Sequence, residues 1–349
     1  RVVGLDPDDP IQVSFKLKEE NYPGELDGRR DRAQLKMDWD YGHHFAVVNG
    51  IGRIGYMTGG KRARWVDEEM ADTLAAKGAA FIARNKDKPF FLYFATHDIH
   101  VPRVPHPRFV GKTSMGPRGD AIVQFDFQVG AILDALDAHG LAEDTLVIMS
   151  SDNGPVLNDG YKDQAVEKLG THRPAGPYRG HKYSAYEGGT RVPFLVRWPK
   201  RVKGGTQSAA LVSLVDLVAT FAALCGQPLA HGDAPDSMDL SAALLDSGTA
   251  GRTSFIAEGA RMSVRDGVWK FIPANGRKDG PLRADTGRLG DPDAFVKGEQ
   301  DTGSWNVDQL YNTAEDPREA HNLAGTQPER VAAMRAMLQK ARTAGRTRP

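Results

Sequence analysis

The residues of this chain that could do chemistry gather at three corners, each beside an apolar run. The central one is T-L-V-I-M-S-S-D-N-G-P, residues 145–155. Its first half is apolar and β-branched, as a buried strand is, and its second half presents Asp152 and Asn153 before a Gly-Pro breaker. Ligand groups in open α/β sheets collect just past the carboxyl ends of strands, and a carboxylate beside a carboxamide offers the hard oxygens that Ca²⁺ or Mg²⁺ takes. Alone, the pair reads more readily as an Asx-turn, because Asp and Asn bond their own backbone at strand ends. A second corner, T-H-D-I-H-V-P at 96–102, holds His97 and His100. A third, a glycine-rich polar loop, carries His172, Arg173, Arg179, His181 and Lys182. Each of these has a bland reading as a satisfied or solvated polar group. Their company changes the reading, because a cation beside one lysine and one histidine suits a tetrahedral oxyanion. The metal polarises one oxygen, and Lys and His neutralise or protonate others.

Elements that position these corners are legible in the pattern. A helix is expected from Asp67, with Met70, Leu74, Phe81 and Ile82 as its buried stripe and Pro89 as its stop. An apolar strand follows at 90–95. A second helix is expected over about 120–138, with Ile122, Phe125, Val129, Ile132, Leu133 and Leu136 on one side and Gly140 as cap. Next come the strand that ends at Asp152 and another, V-P-F-L-V-R-W-P, at 192–199. Strand, helix, strand, loop, strand is the grammar of an α/β sheet flanked by helices. From about Gly204 the texture changes. A helix at 214–224, short strand candidates near 254, 263, 269 and 309, a polar excursion at 275–304 and a helix at 328–342 describe a small antiparallel sheet with a closing helix. The expected division is a catalytic α/β domain at 1–204 and a C-terminal subdomain at 205–349. His43 and His44 are adjacent, would face opposite ways on a strand, and read as ordinary polar residues rather than a metal pair.

Composition narrows the function classes. The 349 residues carry 45 basic and 45 acidic side chains, which gives no reason to expect nucleic acid or an anionic membrane as partner. No apolar run approaches the roughly 20 residues of a membrane span. The single cysteine, Cys225, excludes an intrachain disulfide and lies in the apolar helix end A-A-L-C-G, where a buried structural thiol is expected.

Three segments, H-D-I-H-V-P, S-D-N-G-P and G-H-K-Y-S-A-Y-E-G-G-T-R-V-P-F, resemble in order and spacing the type I, formylglycine-dependent sulfatases, of arylsulfatase type. L-Y-N-T-A-E-D-P-R-E-A-H-N-L-A, at 310–324, resembles that family's closing signature, so the match covers about residues 65–325. The resemblance implies an alkaline-phosphatase-like α/β fold, a mixed sheet flanked by helices, and removal of sulfate from a sulfated carbohydrate or aryl sulfate. It implies that Asp152 and Asn153 are calcium ligands, with Ca²⁺ ahead of Mg²⁺. Lys182 matches the lysine that bridges sulfate and nucleophile, and His100 the histidine that binds sulfate and assists the leaving group. His97 matches a less constant position. Glu187 and Arg191 read as a loop-fixing ion pair. His172, Arg173, Arg179 and His181 could read sugar hydroxyls and anionic groups. A periplasmic or secreted location is the expectation the family carries.

The departures are equally specific. The family's paired aspartates after a first strand, its Cys-x-Pro-x-Arg with the formylglycine cysteine and its Gly-Lys-x-His segment have no counterpart here. Asp8 and Asp9 are adjacent but follow no apolar strand, and Cys225 is followed by Gly-Gln-Pro. The chain begins with Arg1, and the expectation is an N-terminally truncated sulfatase that lacks its nucleophile and is inactive alone. It would bind metal weakly and be poorly stable. Two rival readings share some of these features. One is a phosphomonoester or phosphonate hydrolase of the same superfamily, the other a noncatalytic glycan-binding relative. Neither nucleic acid nor membrane is expected as a partner.

Overall fold

The computed structural model describes residues 26–55, 64–259, 261–274 and 306–348, together with the backbone of Gln12–Ser14 and Tyr56–Thr58. Asp8 and Asp9 and the excursion at 275–304 lie outside the described residues. The chain divides into two units, Arg1–Ala142 with Leu157–His172, and Glu143–Val156 with Arg173–Pro349.

In the first unit, β1 (Gln12–Ser14) pairs antiparallel with β4 (Tyr56–Thr58), and β2 (Val47–Val48) with β3 (Ile51–Gly52). Helices α1 (Met70–Asn85) and α2 (Gly116–Ala138) pack together. The buried face of α1 is Ala71, Ala75, Gly78 and Ile82; of the expected stripe Ile82 is in it, while Met70, Leu74 and Phe81 are half-buried. Close approach to α2 selects small side chains here. A Cβ at Gly78 would stand 2.5 Å from Ile132 Cδ1 and 3.1 Å from Phe94 Cε2. Leu74 and Phe81 instead line a shallow groove with Leu92 and Phe94. Asp67 is no cap. It is buried, and its carboxylate accepts from Arg53 Nη2 at 2.7 Å and Asn49 Nδ2 at 3.1 Å.

Helix α2 begins four residues before its expected start, with Pro117 in its first turn, where a missing N–H costs nothing. Its buried face includes Gln124 and Gln128, whose amides donate to the Asp98 carboxylate at 3.0 and 2.7 Å. Burial raises the Asp98 carboxyl pKa, against the pull of those two bonds. A polar buried face is what apolar periodicity cannot detect. Residues 90–95 form no strand among the described residues. Phe91 is 70% exposed and Tyr93 81%.

In the second unit, β5 (Val147–Ser150) and β6 (Phe194–Arg197) form an antiparallel pair with Val147 opposite Arg197 and Ser150 opposite Phe194. Between them lies the short α3 (Glu187–Thr190). Helices α4 (Leu217–Leu224) and α5 (Ser241–Leu245) follow. The texture change after Gly204 leads, as expected, to a four-stranded antiparallel sheet. Its order is β10 (Gln309–Asn312), β9 (Trp269–Ile272), β8 (Met262–Asp266), β7 (Ser254–Glu258). The closing helix α6 (Pro328–Ala344) lays Met334 and Leu338 on Val264, Phe271 and Leu310. It ends at Gly345, whose φ of 63° is the left-handed cap that glycine adopts without strain. Cys225 is exposed, not buried, because it caps the solvent end of α4.

Candidate active site

Asp152 and Asn153 stand immediately beyond β5. Asp152 Oδ1 accepts from the Asn153 backbone N–H at 2.9 Å, and Asn153 Nδ2 donates to the Gly154 carbonyl at 2.8 Å. The corner is therefore an Asx-type turn, and it still leaves Asp152 Oδ2 and Asn153 Oδ1 outside any hydrogen bond among the described residues. These two hard oxygens fit a cation as a partial ligand set. No group of three or more His, Cys, Asp or Glu able to hold a metal occurs among the described residues.

The lysine loop is laid against this corner by backbone alone. Lys182 N–H donates to the Pro155 carbonyl at 2.9 Å, and Gly154 N–H to the Gly189 carbonyl at 2.9 Å. A Cβ on Gly154 would lie 1.9 Å from Gly188 O, one on Gly188 2.3 Å from Gly180 O, and one on Gly189 2.5 Å from His181 O. Three backbone segments thus stack with no room for side chains, which is the physical content of the S-D-N-G and E-G-G segments. Tyr183, next to Lys182, takes a φ of 78°, and the Lys182 ammonium lies 5.2 Å from its ring centroid.

Beneath this loop is a buried ionic network. Glu187 pairs with Lys270 at 2.9 Å and Arg265 at 3.0 Å, both on the C-terminal sheet. Arg191, the partner expected from sequence, is farther at 3.7 Å and stacks over Tyr178. Glu319, fully buried, accepts the Glu187 backbone N–H at 2.6 Å, and Lys270 Nζ lies 3.5 Å from its other oxygen. Burial raises the Glu187 pKa, but Lys270 and Arg265 outweigh it and hold the carboxyl at about 2. Burial pushes Glu319 up to about 7, Lys270 opposing and Glu187 adding. Arg179 is buried, donates to the Glu319 carbonyl at 2.9 Å and lies 4.0 Å over the Tyr186 ring. His181 is buried too, its backbone N–H donating to Ser184 Oγ. Arg173 is exposed. Sequence reading missed Lys270 and Glu319. The one signal for Lys270 is a lysine inside the apolar strand W-K-F-I.

His97 and His100 belong to the first unit. His100 Nδ1 lies 2.7 Å from the Val101 carbonyl, and Nε2 lies 3.9 Å from Asp159 Oδ2. His100 N–H donates to the His97 carbonyl. Desolvation depresses the His97 pKa, with Asp67 opposing and His100 adding. His43 joins them: it packs 4.3 Å from the Tyr161 ring and against Gly160, and its pKa is lowered by burial. His172 is exposed, and burial of its ring edge followed by the charge of Arg118 lowers its pKa. The structure thus groups Asp152, Asn153 and Lys182 in one unit, and His97 and His100 with His43 and Asp159 in the other.

The chain has the alkaline-phosphatase-like fold, mixed α/β with a four-stranded antiparallel sheet in its C-terminal part. The chain belongs to the sulfatase family, whose profile matches residues 18–227. It is 43% identical over 344 residues to an N-acetylgalactosamine-6-O-sulfatase of Bacteroides thetaiotaomicron, covering 98% of this chain and 64% of that protein. It is 33% identical over 265 residues to human arylsulfatase A, covering 72% of this chain and 48% of that one. A solved structure described under metabolism of multiple glycosaminoglycans by Bacteroides thetaiotaomicron matches with a TM-score of 0.88 at 42% identity, over 98% of this chain and 68% of that one. The chain thus spans less than two thirds of the length of these curated relatives.

Proposed function

We propose that this chain carries the sulfate-binding portion of a sulfuric ester hydrolase acting on a sulfated carbohydrate, with aryl sulfates as simpler substrates. The observation that carries the reading is the backbone bond from Lys182 to Pro155, which fixes a lysine beside the Asp152–Asn153 corner. The 43% identity to an N-acetylgalactosamine-6-O-sulfatase supports a sugar 6-sulfate as the first substrate to test. Asp152 Oδ2 and Asn153 Oδ1 would hold Ca²⁺ rather than Mg²⁺, as the resemblance to formylglycine-dependent sulfatases implies, with further oxygens needed to complete the shell. When bound, calcium would supply Lewis-acid stabilisation of a sulfate oxygen, and the family's formylglycine nucleophile has no Cys-x-Pro-x-Arg source in residues 1–349.

The chain's own residues do the rest. The Lys182 ammonium neutralises charge on a sulfate oxygen. His100, positioned by the Val101 carbonyl and Asp159, carries a proton to the leaving alcohol oxygen. His97 holds the His100 backbone and borders the substrate. Arg173 and His172 are exposed and could meet the sugar, whereas Arg179 and His181 are built into the loop's foundation. No Cys-x-Pro-x-Arg occurs in the sequence, so we propose that residues 1–349 alone turn over slowly or not at all. A periplasmic or secreted location fits this reading, and no described helix is long and apolar enough to cross a membrane.

Binding tests the assignment without turnover. Calorimetry with N-acetylgalactosamine 6-sulfate in calcium should show binding that K182M weakens at least tenfold, and that the unsulfated sugar does not reproduce. Equal affinity for sulfated and unsulfated sugar, or stronger binding of the 6-phosphate, would overturn it.

A further inference from the structure

One buried arginine of the first unit has no carboxylate bonded to it among the described residues. Arg103 and Arg118 are each 2% exposed, and Asp163 is buried with them. Asp163 Oδ2 is taken by Arg103 Nη1 at 2.6 Å, and its Oδ1 accepts the Ala165 N–H at 3.1 Å. Arg103 is further satisfied by the carbonyls of Leu157 at 2.9 Å and Ile99 at 3.2 Å. Arg118 has none of this: its Nε and Nη1 are enclosed without a hydrogen-bond partner among the described residues. Asp120, two residues on, is spent on the Gly111 and Thr113 backbone N–H groups and the Thr113 hydroxyl. Burial, then the neighbouring Arg103, lowers the Arg118 pKa to about 10, with Asp163 opposing. At that value the guanidinium is still charged at neutral pH.

A lysine and a histidine lie near it. Lys168 folds over Gly116, two residues before Arg118, its Nζ 3.7 Å from where a Gly116 Cβ would stand. His172 feels the charge of Arg118. Both are exposed, whereas Arg118 is not. A buried, unpaired guanidinium is among the costliest groups a fold can hold, and it calls for a counter-ion. Guanidinium presents a planar fork matched to carboxylate or sulfate oxygens.

We propose that Arg118, flanked by Lys168 and His172, is a binding site for a small oxyanion, a carboxylate or sulfate group. Arg103, which bonds the carbonyl next to His100, ties it to the His100 corner. If the carbohydrate reading above holds, an acidic group on a neighbouring sugar of the chain is the natural occupant. Otherwise a free ion fills it.

The test is thermal unfolding of the full chain at constant ionic strength, titrated with inorganic sulfate and separately with glucuronate. It is run in the K182M background, so that binding at the lysine corner cannot contribute. A saturable rise in Tm with either probe, abolished by adding R118M, supports the site. A response to inorganic sulfate assigns a free ion, and one to glucuronate alone a sugar acid. In buffer free of both probes, R118M should melt higher than its parent, because it removes an unpaired buried charge. If R118M does not fold, R118K should keep a saturable shift with half-saturation roughly tenfold weaker, since an ammonium cannot reproduce the fork. No shift with either probe, or the same shift with and without Arg118, overturns the proposal. Loss of sulfated-sugar binding in K182M alone bears on the proposed function and leaves this site untouched.

Discussion

A carboxyl enclosed by protein and sharing one ammonium with a second carboxyl titrates unlike either in water. Glu319 is held near 7, above its ordinary 4.5. A raised carboxyl stabilises the fold fully below its unfolded pKa and loses that contribution as pH rises through the folded one. Glu187, held at about 2, contributes above its unfolded value and loses this only as pH falls toward 2. Between pH 4.5 and 7, stability should therefore fall with rising pH through Glu319. E319Q should flatten that slope in a Tm-versus-pH series while keeping an acceptor for the Glu187 N–H, and an unchanged slope would assign the titration elsewhere. K270M strips both carboxylates of their shared cation and should destabilise by ~3–5 kcal/mol, the usual cost of breaking a buried pair. Denaturant unfolding measures it, and a loss below about 1 kcal/mol would mean that water already reaches the network. At the other pole, on the proposed assignment Asp152 and Asn153 would supply only two of the 6–8 oxygens that Ca²⁺ takes, so calorimetric titration should give a Kd weaker than about 10⁻³ M. Tighter binding would require ligands beyond these two.

At the scale of elements, packing distances rank two glycines. A Gly78 Cβ would press on Ile132 Cδ1 and the Phe94 ring edge, ends of side chains that can yield. G78A gains about 1 kcal/mol of helix propensity and pays ~1–3 kcal/mol for overpacking, so a net loss of about 1 kcal/mol is expected. A Gly154 Cβ would stand on the Gly188 carbonyl, which is backbone and cannot yield. G154A should cost ~3 kcal/mol or more, or fail to fold, and also release Lys182 from the corner. Equal chemical-denaturation midpoints for the two variants would contradict this ranking. The same distances explain what was legible. The sheet β7–β10 and helix α6 with Met334 and Leu338 follow from apolar periodicity, because burial there is by large side chains; the strand leading to Asp152 forms too, but Val147–Ser150 are only half-buried. The buried face of α1 was displaced by a residue because close helix packing selects Ala and Gly. The α2 face buries Leu136 as expected but also Gln124 and Gln128, which apolar periodicity passes over because they are buried to serve Asp98. The proposed roles of Asp152, Asn153, Lys182 and His100 rest on short motifs. Lys270, Glu319 and Arg118 could not be read that way, since each sits alone in a pattern of another kind and gains meaning only from residues distant in sequence.

For the whole molecule, the exposed aromatics set the solution behaviour. Phe91 and Tyr93 turn outward from the first unit beside a groove lined by Leu74, Phe81, Leu92 and Phe94. Large exposed apolar groups that cluster favour association. Expressed as residues 1–349, the protein should bind a hydrophobic dye and aggregate with rising concentration. The double substitution F91S/Y93S should suppress both while shifting Tm little, because neither ring is buried. A large fall in Tm would show that these rings are covered in solution. The sequence length that separates partners matters on this scale too. Glu187 meets Lys270 across 83 positions and Glu319 across 132. Closing such loops is entropically costly and slow compared with forming a helix or hairpin. On the ribosome, the loop that bears Lys182 emerges long before its anchors do. Until residue 319 has been made, that lysine rests on a tether with no foundation. Any chain ending short of Glu319, whether by a stop codon or by proteolysis, would keep the oxyanion motifs intact in sequence and lose the means to hold them in place.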